Sequence, residues 1–190
     1  MTGRDRATRA FTLVELMIVI VIIAILAVLA TVAYRSLVLS AHSAEATQMI
    51  QSIRTAQEAY HAETQTYVST STALNSGLYP NSTPSNVKTG WGSGITGSCT
   101  PPTASVNCWS ALPLHVDSAV MFGYATMAGA AGSAPSGVSG IPTGLVTLPS
   151  TSAMDWYVIS AVGDVNANGI FCTIIGTSLT NDLFIQNEGE

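Results

Sequence analysis

Few residues of this chain are spaced for chemistry. In Asp164-Val165-Asn166-Ala167-Asn168-Gly169, oxygen-bearing side chains stand at alternate positions ahead of a glycine, the first half of a calcium loop. The bidentate Glu that would complete such a loop is replaced by Ile175. Two readings stay open: a calcium site of Asp164, Asn166 and Asn168 completed from elsewhere, for instance by Asp182, and a turn whose Asp and Asn bond their own backbone. Three cysteines, Cys99, Cys108 and Cys172, predict one disulfide and one remaining thiol in an exported domain. Cys99 and Cys108 flank a Pro-rich loop and are the expected pair. Cys172 lies in an apolar run and is expected to be buried, while the rival pairing joins it to Cys99 or Cys108. No CxxC or HxxxH spacing suggests zinc. His42, His61 and His115 have no serine or cysteine nucleophile placed beside them by the sequence, so no enzyme and no cofactor other than calcium is expected.

Glu15 is the exception. It opens an apolar run: over residues 16–33 only Thr31 is polar. Eighteen helical residues span roughly 27 Å, close to one bilayer core of about 30 Å. A carboxylate at bilayer depth costs about 2.5–3.5 kcal/mol, and less near a helix end, so it implies a partner. Three arginines, Arg4, Arg6 and Arg9, precede the span and predict a cytoplasmic N-terminus with the remainder exported.

Elements must position these residues. Residues 36–63 contain no Gly or Pro, and Met49, Ile53, Ala56 and Tyr60 recur at helical steps. One helix over residues 11–64 would be a rod of roughly 80 Å, transmembrane over 11–34 and amphipathic over 35–64. Prolines and glycines make residues 68–113 a loop region. Strands are predicted over 118–128, 155–162, 170–176 and 182–186, with a long exposed loop over 129–153. Val120, Phe122, Tyr124 and Thr126 share one face of the first strand. An antiparallel meander packed on the amphipathic half of the helix gives an α+β fold, with residues 65–190 as a globular β-rich domain.

The basic leader, Ala10 and the run Phe11-Thr12-Leu13-Val14-Glu15-Leu16-Met17-Ile18-Val19 before a long apolar helix resemble the class III signal of type IV pilins and the related pseudopilins. The resemblance implies a leader of residues 1–10, cleavage between Ala10 and Phe11 by a membrane prepilin peptidase, and N-methylation of Phe11 by the same enzyme. It also implies storage in the inner membrane, then polymerisation with its own copies and other pilins on an inner-membrane assembly platform. Three positions depart from the common pattern: Ala10 and Ala24 stand where glycine is usual, and Val32 where proline is usual. The last two favour an unbroken helix. Cleavage converts the Phe11 nitrogen from a neutral amide to an amine of pKa about 7.7–8, mostly protonated at neutral pH. The cation that Glu15 needs would thus be created by processing, on its own chain or on a neighbour.

Composition fits export. Only 9% of residues are charged, and the whole chain carries a formal charge of −5. The leader holds three of its six basic residues and one of its eleven acids. An acidic remainder argues against a basic groove for nucleic acid. Arg35, just beyond the span, is placed to reach lipid headgroups.

The leading expectation is a structural subunit of a type IV pilus, reaching the cell surface by assembly. The alternatives are a type II secretion pseudopilin and a membrane-anchored periplasmic domain that does not polymerise. An ordinary secretory signal ending at Thr31-Val32-Ala33 is a further reading, disfavoured by the length of the run and by Glu15. The tryptophan-glycine-asparagine-proline run that resembles the major pseudopilin is absent, and Gly90-Trp91-Gly92-Ser93 only echoes it.

Overall fold

The computed structural model describes residues 11–92, 94–99, 101 and 103–189. The leader, including Ala10, lies outside the described residues. The chain divides into two compact units, with the boundary between Val38 and Leu39.

One helix, α1 (Leu13–Thr64), runs through that boundary. No glycine or proline interrupts it, as the sequence predicts. Within the first unit its apolar side chains are exposed all round: Leu16, Ile25 and Val32 are each more than half accessible. Such a segment is satisfied in a bilayer or among other apolar helices rather than in water. Thr31 is accommodated by donating its hydroxyl to the Val28 carbonyl (2.8 Å). The helix ends as Gln65 turns into the left-handed region (φ 59°) and donates its N–H to the His61 carbonyl.

The second unit is built on a five-stranded antiparallel meander in the order β1 (Tyr79–Pro80), β2 (Gly123–Gly129), β3 (Trp156–Gly163), β4 (Cys172–Thr177) and β5 (Leu183–Gln186). Tyr79 pairs with Tyr124, Tyr124 with Ala161, Ala161 with Ile174, and Ile174 with Ile185. The later strands fall within two residues of their predicted bounds. β2 is shorter than predicted, because residues 118–122 make only a bridge, Thr89 to Val120.

Ala46, Met49, Ile50, Ile53 and Ala56 of α1 pack with Phe122, Tyr124, Tyr157, Ile159 and Ile174 in one core. The predicted stripe is therefore right in position, with Ala46 and Ile50 widening it. The other sheet face is covered too. Ala125, Val158, Val162 and Ile175 are buried beside Leu74, Leu78, Val138 and Trp156. Ile141, Leu145, Val146 and Leu148 pack there as well, so residues 129–153 are not simply the exposed loop that their Gly, Ser and Pro content suggests. β3 is consequently buried along its whole length.

Three polar side chains of α1 tie the helix to the sheet unit. Gln57, fully buried, donates to the Val68 carbonyl (2.8 Å) and to Thr126 Oγ1 (3.2 Å), and accepts the Val68 N–H (3.0 Å). Arg54, though charged, is buried as well. Its guanidinium donates to the carbonyls of Thr180, Asn181 and Asp182, holding the β4–β5 turn. Glu45 accepts from Lys88 Nζ (2.8 Å) and from the Met121 N–H (3.3 Å).

Candidate functional site

The sequence singles out three places, and the structure builds each differently. The Cys99–Cys108 disulfide is formed, spanning nine positions around the short 3-10 turn Val106–Ala111. It anchors that turn against a cluster of rings. Trp91 meets Tyr79 (5.0 Å between centroids) and Trp109 (5.3 Å) edge-on, and Tyr79 stacks on Trp109. Trp91 is therefore half-buried against the core. Cys172 is buried on β4, and with Cys99 joined to Cys108 the rival pairing is not formed. Closing a loop this short contributes just under about 3 kcal/mol on the chain-entropy account. The Cys99→Ser, Cys108→Ser double variant is expected to lose about that much in urea unfolding of the full chain in detergent, followed by tryptophan fluorescence. A loss below about 1 kcal/mol would show that packing alone holds the turn.

Asp164, Asn166 and Asn168 come together in the β3–β4 connection as a turn. The Asp164 carboxylate accepts the N–H of Asn168 (3.1 Å) on Oδ1 and that of Gly169 (3.0 Å) on Oδ2. Asn166 Oδ1 also accepts the Asn168 N–H (3.0 Å). Ala167 and Gly169 take positive φ, as such a turn demands. Ile175 is fully buried on β4 and turned into the core. Among the described residues, no group of three or more His, Cys, Asp or Glu side chains is placed to hold a metal ion.

The histidines serve packing and surface contacts. His61 sits 3.4 Å from Asp155 and stacks on Tyr67 (4.3 Å). Tyr67 donates to both oxygens of Glu58, and burial together with this carboxylate pushes its phenol up to about 12, so it stays protonated at neutral pH. His115 pairs with Asp117 on an exposed loop, and His42 lies 3.8 Å from Glu45.

The third place is the head of α1. Thr12 precedes the first helical residue, Leu13, and Glu15 is the third residue of the helix. The Thr12 N–H donates to Glu15 Oε2 (2.9 Å), and the Thr12 hydroxyl donates to the same oxygen (2.8 Å). The Glu15 N–H donates in return to Thr12 Oγ1 (3.2 Å). This is a reciprocal capping box. The sequence reading missed it, although Thr-x-x-Glu before an apolar run is its written signature. The carboxylate is thereby fixed one helical turn from Phe11, which is itself 82% exposed. A negative charge here also suits the positive end of the helix dipole. The Glu15 carboxylate thus starts the helix, four residues along the chain from Phe11.

The chain matches the family model for the prokaryotic N-terminal methylation motif over residues 5–31. No curated protein and no solved structure matches the chain. The matched segment holds the predicted cleavage point, Thr12, Glu15 and most of the apolar run. An α+β fold, a long helix with an apolar first part followed by an antiparallel sheet domain, thus stands behind a segment that matches the N-terminal methylation motif.

Proposed function

We propose that this chain is a structural, non-catalytic subunit of a type IV pilus. It is cut between Ala10 and Phe11, methylated on the new amine, stored in the inner membrane and polymerised through the apolar part of α1. The observation that carries the proposal is Glu15, held by Thr12 at the head of that helix inside the matched methylation motif. A capping box would serve a plain anchor as well, but an anion fixed there can in addition pair with the Phe11 amine of its own chain or of a neighbour. In a stack of parallel helices such pairing sets the axial step, since a displaced copy leaves a charge half-paired.

The pilus is preferred over the secretion pseudopilin because long Gly-, Ser- and Pro-rich segments cover the sheet domain, which suits a surface fibre. Shearing of intact cells and immunogold labelling test this. Labelled surface filaments that vanish on deletion of the gene, with protein secretion intact, are expected. Loss of secretion without surface filaments would assign the chain to a secretion system. Retention in the membrane with neither effect would leave only an anchored domain.

A further inference from the structure

The β3–β4 connection contains the one Asn-Gly pair of the chain, Asn168-Gly169. With no side chain on the following residue, a glycine nitrogen can attack the Cγ of the asparagine before it. A bond forms from the Gly169 nitrogen to Cγ, the Cγ–Nδ2 bond breaks, the side-chain nitrogen leaves as ammonia with the proton the Gly169 nitrogen gives up through water, and a succinimide ring remains. Water then opens the ring to aspartate or to isoaspartate. The reaction needs no oxidant and no cofactor.

Neither burial nor crowding shields the pair. Both residues are exposed, and a Cβ placed on Gly169 would meet nothing within 4 Å. The reacting groups are instead held by hydrogen bonds. The Gly169 N–H, on the attacking nitrogen, donates to Asp164 Oδ2 (3.0 Å). The Asn168 side-chain oxygen accepts the Ile170 N–H (2.7 Å), and the Asn168 N–H donates to Asp164 Oδ1. Asp164 is only 6% exposed and follows directly on Gly163, which is paired with Cys172 across the sheet. The holding carboxylate is therefore anchored to the core, while the groups it holds lie in solvent.

We propose that Asn168 is a latent deamidation site that Asp164 keeps closed by fixing the Gly169 nitrogen and the turn around it. Cyclisation requires the backbone at residues 168–169 to rotate, which breaks the bonds to Asp164. The rate in the folded chain is then the intrinsic rate multiplied by the fraction of time the turn is open. Conversion is one-way in water. It places a second carboxylate beside Asp164, and the isoaspartate product adds a methylene to the backbone just before the exposed Ile170 and Phe171. Like charges and a longer turn both favour further opening.

Peptide mapping by mass spectrometry on the full chain in detergent, incubated at mildly alkaline pH, tests this. Asn168 of folded wild type is expected to convert slowly, and in denaturant at the rate of a free peptide covering residues 164–170. Asp164→Ala is expected to speed folded-state conversion roughly tenfold or more, the factor implied by losing a hydrogen bond to a charged group. Asn75, followed by Ser76, reports on general unfolding and is expected to stay at its wild-type rate. Should Asn75 accelerate as well, Asp164→Asn, which keeps one acceptor oxygen, replaces the alanine variant. A rise at Asn168 alone then supports the proposal, and no rise overturns it. Equal rates in folded and denatured wild type overturn it as well. So does slower conversion in Asp164→Ala, because the carboxylate would then be acting as a base that promotes attack.

Discussion

Glu15→Val is expected to lower the yield of sheared filaments by on the order of a hundredfold or more, while leaving the subunit abundant in the membrane. Each copy would bring the Phe11 amine into the assembled helices without its counter-ion, and one uncompensated buried charge costs about 3–5 kcal/mol. The capping box makes the experiment sharper than a single substitution. Loss of a helix cap costs about 1 kcal/mol, so Thr12→Ala is expected to give a milder defect. Glu15→Gln separates the two roles, because a glutamine at this position can still complete a capping box but carries no charge. Filament yields in Glu15→Gln near those of Glu15→Val would assign the defect to the charge. Yields near wild type would assign it to helix initiation, and the pairing account would fall.

The second large effect is expected at Gln57. Its amide supplies both a donor and an acceptor to Val68, doing for that backbone what a strand partner would do. Gln57→Ala removes these bonds, leaves the buried Val68 N–H without an acceptor and opens a cavity beneath the sheet. A loss of about 4 kcal/mol in unfolding free energy is expected. Gln57→Leu refills most of the volume and is expected to lose about 2–3 kcal/mol. The Val68 carbonyl remains bonded to the Thr126 hydroxyl (2.9 Å) in either variant, so the N–H is the group exposed to loss. Urea unfolding of the full chain in detergent measures both values. Losses under about 1 kcal/mol in both would mean that the segment after the helix rearranges to satisfy itself, and that Gln57 does not join helix to sheet.

The parts of this fold that were legible in the sequence are those written in local pattern. An uninterrupted run without Gly or Pro carried α1, and short runs between turn signals carried β3, β4 and β5. β1 is illegible because it has only two residues and one is Pro80, a residue that sheets admit at an edge, as here, and that signals a turn in the sequence. The second buried face was illegible for a related reason. Val138, Ile141, Leu145, Val146 and Leu148 are scattered among glycines, serines and prolines with no period, and only tertiary packing gathers them.

Polar burial escaped prediction because its justification lies far along the chain. The terminal nitrogens of Arg54 donate to carbonyls more than a hundred residues away, and no helical pattern could announce that. Glu15 was legible because a carboxylate among apolar residues contradicts its surroundings. Thr12 does not announce itself, because a threonine there contradicts nothing, although its spacing to Glu15 is that of a capping box. The Asp164 loop carried two readings, and its hydrogen bonds draw the turn.

Mass spectrometry of the N-terminus, on sheared surface material and on the membrane fraction in parallel, tests the central claim most directly. The account predicts a chain beginning at N-methyl-Phe11 in the sheared filaments. A chain that still begins at Met1, or one that begins at Tyr34, confined to membrane or soluble fractions, would contradict it.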